Sequence, residues 1–418
     1  MADERILSVR LYGEHIGLLE QTAIGKMQFT YETKAPYELS IGMEIRQEPY
    51  DEIKTEAYFG GLLPESEAAR KKIGQRYGVN HHNSFALLKA IGYDCAGAVS
   101  LHSLEEPVAK TTNLFLLKGK IFSENELHQH IQELPKKPLF LGVEGLRLSL
   151  AGAQDKAAVC LIDNKIALPI NGCPTTHILK PGIKGYEGIV QNEYLCLKIA
   201  ARIGLTVPKA EIRWAEKIPY LLIERYDRLI ESNKISRIHQ EDFCQALGVV
   251  TAKKYQNDGG PNFQDCFNLL HFTSQPVKDR NALAALMVFN YLIGNMDAHG
   301  KNFSLLHYEK NNVSIAPVYD VLCTRVYDDL AKKMAMKIGG YYEYDKIYPR
   351  HWERESKDIA YSYPALREII HKQSESILEA AEVERSELIA AKLFHPKVDE
   401  MLAFFHNHIS KTIKRFDR

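Results

Sequence analysis

Asp297, His299, Lys301 and Asn302 crowd into the six residues DAHGKN (297–302), and a second acid, Asp320, follows after a short interval. Asp297 and Asn302 stand five apart, the spacing of a proton-accepting carboxylate and a metal-holding amide in phosphoryl-transfer loops. Such chemistry needs three groups. One carboxylate takes the proton of an acceptor hydroxyl, while an amide oxygen and a second carboxylate hold Mg²⁺ against the phosphates. Hard oxygen donors suit that ion, and no cysteine takes part. The competing explanation is a polar loop capping a buried helix, in which Asp and Asn only make turns. For one residue alone that explanation is the better one; the order and setting of all three favour chemistry.

The neighbouring sequence supplies the means of positioning them. Ala282 to Ile293 is an apolar run too long for a strand and too short to span a membrane, so it reads as a buried helix. Gly294-Asn295 stops it. A hairpin of Phe303–His307 and Val313–Ala316, turning at Glu309–Asn312, returns the chain to Asp320. Upstream, Thr176 to Lys180 reads as a strand ending in a cation that could meet phosphate as a point charge. A helix at Val190–Ile203 carries Glu193 and ends at Gly204. The apolar strand Tyr220–Glu224 then runs into Arg225-Tyr226-Asp227-Arg228. Gly142, Gly145 and Gly152 surround a turn before paired strands at Ala157–Ile162 and Lys165–Pro169. This stretch is neither a Walker A loop nor a dinucleotide fingerprint. Its small residues would still let backbone N–H groups approach phosphate oxygens.

The composition sets limits. With 418 residues, 45% hydrophobic and 25% charged, the chain has room for two or three domains with sizeable cores. Lys plus Arg equals Asp plus Glu at 53 each, so no global field draws it to nucleic acid or anionic membrane. Seven cysteines without a C-x-x-C pair predict reduced thiols and a cytoplasmic location. The charged start MADERILSVR lacks the core of a secretion signal, and no apolar run reaches transmembrane length.

Residues 1–32 alternate as strands, and helices are expected at Glu65–Tyr77 and Ser84–Ile91, then a strand at Ala98–Leu101. The vicinal pair His81-His82 reads as a solvated turn rather than a chelate. A helix at Glu124–Glu133 lies in a polar connection. Beyond residue 236 helices dominate. Gln240–Gln245 opens one, and others fall at Phe263–Phe272, Lys278–Ile293, Tyr363–Ala380, Ser386–Leu393 and Pro396–Lys411. His406 and His408, two apart on a helix, point apart and make no metal site. The basic end, Lys411 to Arg418, reads as a solvated helix end.

With these pieces placed, the chain resembles the HipA family of serine/threonine kinases, the toxin half of bacterial HipBA-type toxin–antitoxin pairs. The resemblance rests on LSLAGAQDK (148–156), PTTHILK (174–180), NEYLCLKIA (192–200), LLIERYDR (221–228), HQEDFCQALG (239–248), KYQNDGGP (254–261), DAHGKNFSLL (297–306), APVYDVL (316–322) and DKIYPRH (345–351), in the family's order. LLPESEAARKKIGQRYG resembles the family's small first domain.

The resemblance implies an α+β, bilobal protein-kinase-like fold. A small α/β subdomain (1–105) would precede a nucleotide-binding lobe (106–230) and a mostly helical lobe (231–418). It implies Asp297 as catalytic base, Asn302 and Asp320 as Mg²⁺ ligands, and Lys180 on the ATP phosphates. Ala151, Gly152, Ala153, Gln154, Asp155 and Lys156 would form the turn over the phosphates. Glu224, Arg225 and Tyr226 would be the adenine hinge. Gln240, His299, Gly300, Lys301 and Tyr319 would line the site, and Ser149 would be autophosphorylated, silencing the kinase. A HipB-like helix-turn-helix antitoxin and a translation protein of the aminoacyl-tRNA synthetase class are the implied partner and substrate. Two departures stand out. Val321-Leu322 follows Asp320, and Ile338-Gly339-Gly340-Tyr341 stands where the best-known relative has a basic cluster. The second argues that DNA is met only through the antitoxin. A small-molecule phosphotransferase and a non-catalytic co-repressor remain the rival readings.

Overall fold

Alternating burial along the first strands fixes the first layer. In the computed structural model, which describes residues 5–104, 114–140, 149, 154–170, 172–232, 234–308 and 312–417, β1 (Ile6–Leu11), β2 (Glu14–Gln21), β3 (Met27–Tyr31) and β4 (Val99–Ser103) form an antiparallel sheet of order β3-β2-β1-β4. Leu7, Val9, Phe29 and Leu101 pack from it against Tyr58 and Phe59 of α1 (Glu52–Phe59) and against Ile73 and Leu88 of α2 (Glu67–Tyr77) and α3 (Ser84–Ile91). Side-chain caps start all three helices, from Asp51, Ser66 and Asn83.

Next come β5 (Leu114–Leu116), β6 (Gly119–Ile121), α4 (Glu124–Glu133), β7 (Ala157–Ile162), β8 (Lys165–Pro169), β9 (His177–Pro181), α5 (Ile189–Arg202), β10 (Ala210–Ala215) and β11 (Ile218–Glu224). The larger sheet runs β10-β11-β9-β7-β8-β6. Leu127 and Ile131 of α4 pack with Val159, Leu179 and Leu222 of that sheet. The facing helix, α5, joins the largest core instead, through Leu195, Ile199 and Ala200.

That core belongs mainly to the remaining elements. They are β12 (Arg228–Glu231), β13 (Lys234–Arg237), β14 (His239–Asp242), α6 (Phe243–Ala246), α7 (Phe263–Leu269), α8 (Pro276–Ile293), β15 (Ser304–Tyr308), β16 (Asn312–Ile315), α9 (Pro349–Asp358), α10 (Tyr363–Ala390) and α11 (Lys397–Phe416). Strands β14, β15 and β16 make one three-stranded sheet, and β12 and β13 join β5 in another. As the apolar run predicts, α8 is buried over Leu286–Ile293 and ends at Gly294.

Two expectations are corrected. Gln240–Asp242 is strand, not helix: these residues pair with Leu306, Leu305 and Ser304, and Asp242 caps a helix that starts only at Phe243. Helices expected at Tyr363–Ala380 and Ser386–Leu393 are one helix, α10. The charged stretch between them is part of a packed face. Glu384 is buried, and Arg202 of α5 pairs with Glu384 and Glu387. His406 is exposed and His408 buried, so they do point apart. The seven cysteines are buried and free. Among the described residues no helix is long and apolar enough to cross a membrane.

Candidate active site

The acid-bearing loop gets its shape from the end of α8. Gly294 takes a left-handed conformation, φ +75°, and its N–H closes back on the Asn290 and Tyr291 carbonyls of the last turn. The Asn295 amide donates to the Asn290 side chain at 2.9 Å, and the Asn295 oxygen accepts the Asp297 N–H at 3.1 Å. Asp297 thus leaves the buried helix as an exposed carboxylate. The Asn302 amide nitrogen donates to the Asp297 carbonyl at 2.8 Å, which turns its oxygen toward other partners. Strands β15 and β16 then return the chain to Asp320, whose backbone has φ +51°, a region that costs a non-glycine residue roughly 1–3 kcal/mol. Strain of this kind collects where function fixes a side chain.

A cavity of about 270 Å³ lies between the two lobes. Asp297, Asn302 and Asp320 line it, together with Lys180, Gln154, Lys156, Glu224, Arg225, Tyr226, Gln240, His299, Lys301 and Tyr319. Lys180, on β9, is buried and bridges two carboxylates. Its Nζ lies 2.6 Å from Glu193 of α5 and also contacts Asp320. Burial alone would raise the Asp320 carboxyl; the Lys180 and Lys156 ammoniums reverse that and hold it below the usual carboxylate range. Burial would lower the Lys180 ammonium, and Asp320 and Glu193 push it above its ordinary value instead. Glu193 itself is raised by burial, against the pull of Lys180. The lysine therefore stays charged while Asp320 presents an anion to the cavity.

His299 and Gln240 bring buried polar atoms with no partner among the described residues, Nδ1 and Oε1. Burial lowers the His299 pKa to about 4, so the ring is neutral near pH 7. Asn302 and Asp320, both lining the cavity, offer hard oxygen donors of the kind that fits Mg²⁺, and the orphaned polar atoms fit a polar ligand.

Other expected residues fall differently. Asp155 and Gly300 are not among the cavity-lining residues. Asp155 has its carboxyl raised by burial, with Lys72 of α2 as its opposing charge. A Cβ on Gly300 would meet Cys244 Sγ at 2.8 Å and Pro261 at 2.9 Å, so the backbone packs closely there. Arg225 lines the cavity, but its guanidinium turns into a buried ion cluster and donates to Asp227 and Thr175. Ala151, Gly152 and Ala153 lie outside the described residues. Ser149 is buried and is not among the cavity-lining residues; its hydroxyl donates to the carbonyl of Leu62, which does line the cavity, at 2.7 Å, and its N–H to the Asp94 carbonyl at 3.0 Å.

The sequence reading missed what the first layer adds. Gly61, Leu62 and Glu65 reach the cavity from the segment after α1, and Lys254 comes from KYQNDGGP. Glu65 and Lys254 pair at 2.6 Å, and Tyr255 donates its phenol to Asp297 Oδ1 at 2.6 Å. The motif was visible, but its role depends on contacts distant in sequence. Asp94, from the loop after α3, meets Arg228 at 2.9 Å and Arg237 at 3.2 Å. It also accepts from the Thr175 N–H at 3.1 Å and Oγ1 at 3.0 Å. Burial would raise the Asp94 carboxyl, yet the three arginines hold it well below its usual range. Glu67 also joins His81 and His82, all three donor atoms lying within 4.8 Å of one another on the surface.

A strand-borne lysine paired with a helix-borne glutamate, facing a carboxylate loop across an interlobe cavity, defines an α+β, bilobal protein-kinase-like fold. The comparisons refine this. Residues 7–102 match the HipA N-terminal domain and residues 148–381 the HipA-like C-terminal domain. The chain belongs to the HipA family. It is 40% identical to Y4mE, a candidate kinase of Sinorhizobium fredii, over 90% of this chain and 91% of that one. It is 29% identical to the serine/threonine-protein kinase toxin HipA of Shewanella oneidensis, over 69% of this chain and 67% of the relative. A solved complex of Shewanella oneidensis HipA with HipB and its operator DNA superimposes with TM-score 0.84 at 24% identity, over 98% of each chain.

Proposed function

We propose that the chain is an ATP- and Mg²⁺-dependent protein serine/threonine kinase, the toxin of a type II toxin–antitoxin module. The observation that carries this is the convergence of Asp297, Asn302, Asp320 and Lys180 on one cavity. In the proposed reaction the acceptor hydroxyl oxygen bonds to the γ-phosphorus, the bond to ADP breaks, and Asp297 takes the hydroxyl proton. Asn302 and Asp320 would hold Mg²⁺, which offsets phosphate charge when bound. Lys180 adds a fixed positive charge, while Gln240 and the 224–226 backbone would read the base. Domain boundaries near residues 105 and 230 go with this reading.

The acceptor is proposed to be a translation protein of the aminoacyl-tRNA synthetase class. A HipB-like antitoxin would restrain the kinase in the cytoplasm and carry any contact with DNA, in keeping with the relatives' names and the HipA–HipB–DNA complex. Ser149 is proposed as the self-inactivation site. Its seat is closed, and a phosphate bearing nearly two negative charges could not remain beside the Leu62 carbonyl. The modified loop would have to leave.

Radiolabelled ATP tests the reading. Label should enter protein, Asp297→Ala should block it, and phosphoproteomics of a host expressing each form should reveal the acceptor. Label on a metabolite would favour a small-molecule phosphotransferase. Failure to bind Mg-ATP in calorimetry would favour the co-repressor.

A further inference from the structure

Three consecutive residues, Lys254-Tyr255-Gln256, each grip a different part of the molecule. Lys254 Nζ lies 2.6 Å from Glu65 of the first layer, with both side chains largely buried. Tyr255 Oη donates to Asp297 Oδ1 at 2.6 Å. The Gln256 N–H donates to the Ala335 carbonyl at 3.2 Å, and its Oε1 accepts the Lys337 N–H at 2.6 Å. The tripeptide is itself tied down. The Lys254 carbonyl accepts the Gly300 N–H at 3.3 Å, and the Tyr255 carbonyl accepts from Gly260 at 2.9 Å.

Asp297 needs such a partner. It is exposed, and the terminal torsion of an aspartate is soft, so nothing in its own loop aims the carboxylate. The phenol is the hydrogen-bond donor to that carboxylate among the described residues. With Oδ1 taken, Oδ2 is left to accept from an incoming hydroxyl. The ring stands edge-on to His299 at 5.0 Å between centroids and has the Lys254 ammonium 5.2 Å from its own.

We infer that Tyr255 is a positioning residue for Asp297, and that the Glu65–Lys254 ion pair makes the first layer part of the device that aims the base. The inference rests on the phosphotransfer reading. Geometry of this kind matters because an ångström of misplacement can cost roughly a hundredfold in rate. The first layer would then condition catalysis rather than only flank it.

The test uses the full chain, with ADP release in a coupled assay and dephosphorylated casein as acceptor. Asp297→Asn sets the baseline, and Mg-ATP binding is followed by calorimetry. Tyr255→Phe keeps the ring and removes only the hydroxyl. It should lower kcat about tenfold or more while KM for ATP stays within about twofold, the pattern of a group that acts after binding. On the Asp297→Asn background the same change should do nothing further. Glu65→Gln should lower kcat with ATP affinity retained, and Lys254→Arg should keep most activity where Lys254→Met does not. Wild-type kcat in Tyr255→Phe, with the wild type well above Asp297→Asn, overturns the inference and leaves the kinase reading standing. An unchanged Glu65→Gln removes the first layer from it. A wild type no faster than Asp297→Asn on casein, and no label entering protein in a host lysate, defeats the kinase reading and this inference together.

Discussion

At the scale of single residues, exposure and burial separate chemistry from stability. Asp297 is exposed, so Asp297→Ala should abolish phosphoryl transfer while moving the unfolding free energy by no more than about 0.5 kcal/mol. Radiolabel incorporation and a urea melt check the two halves. Lys180 is the opposite case. Lys180→Met leaves Glu193 and Asp320 facing each other without their cation, and should cost about 3 kcal/mol or more in stability as well as activity. Adding Glu193→Gln should return part of that loss, which a double-mutant cycle of urea midpoints would measure. Asp297, Asn302, Asp320 and Lys180, which all line one cavity, were legible in the sequence as belonging together from their types and spacing. Glu65, Lys254 and Tyr255 were not, since a 2.6 Å pair between residues 65 and 254 leaves no local pattern. Asp155 and Gly300 stand beside cavity-lining residues in their motifs without lining the cavity themselves, since adjacency within a motif does not imply a shared face.

At the scale of elements, the ends of helices carry the predictions. Gly294 stops α8 with a positive φ, and a Cβ there would meet Phe404 at 2.5 Å and Arg325 at 2.9 Å. Gly294→Ala should therefore destabilise the protein by about 1–3 kcal/mol, from strain and overpacking together. It should also slow phosphoryl transfer, because the loop that bears Asp297 starts there; thermal melts and the kinase assay read the two effects. On α11, burial lowers the His408 pKa from 6.5 to about 4, helped by Arg415, Lys411 and Arg325 and opposed by the Tyr291 carbonyl. The folded state thus binds fewer protons than the unfolded chain between those values, so this group's contribution to stability rises with pH through the window and is lost on acidification. Against His408→Gln, the wild type should gain up to about 3 kcal/mol between pH 4 and pH 7, read from urea melts at both pH values. Apolar runs and glycine stops made α8 legible. The misread elements were those set by partners. Asp242 ends a strand and caps a helix at once, and the charges inside α10 face Arg202 from another helix.

At the scale of the whole molecule, the first layer is bound by charge to the segment that follows β11. Asp94 and Asp227 are buried against Arg225, Arg228 and Arg237, and Asp227 accepts the Gly97 N–H at 2.7 Å. A chain lacking residues 1–104 would leave those guanidiniums without Asp94, and should be recovered aggregated or without Mg-ATP binding by calorimetry. Asp94→Ala in the full chain should cost about 3–5 kcal/mol, the usual result of stripping one partner from a buried ionic group. The resemblance in sequence carried the family over most of the chain, and LLIERYDR holds Arg225, Asp227 and Arg228, but Asp94 and Arg237 lie outside every quoted motif, so the cluster itself could not be read from any one of them.

The same cluster has a meaning for synthesis. A ribosome delivers Asp94 well before Arg225, Arg228 and Arg237, and Lys180 well before Asp320. A partly made chain holds hydrated anions and cations whose counterparts have not yet left the exit tunnel. No chain that stops short of Asp320 can form the Lys180–Asp320 contact, so the order of translation leaves that wall of the cavity to be closed late.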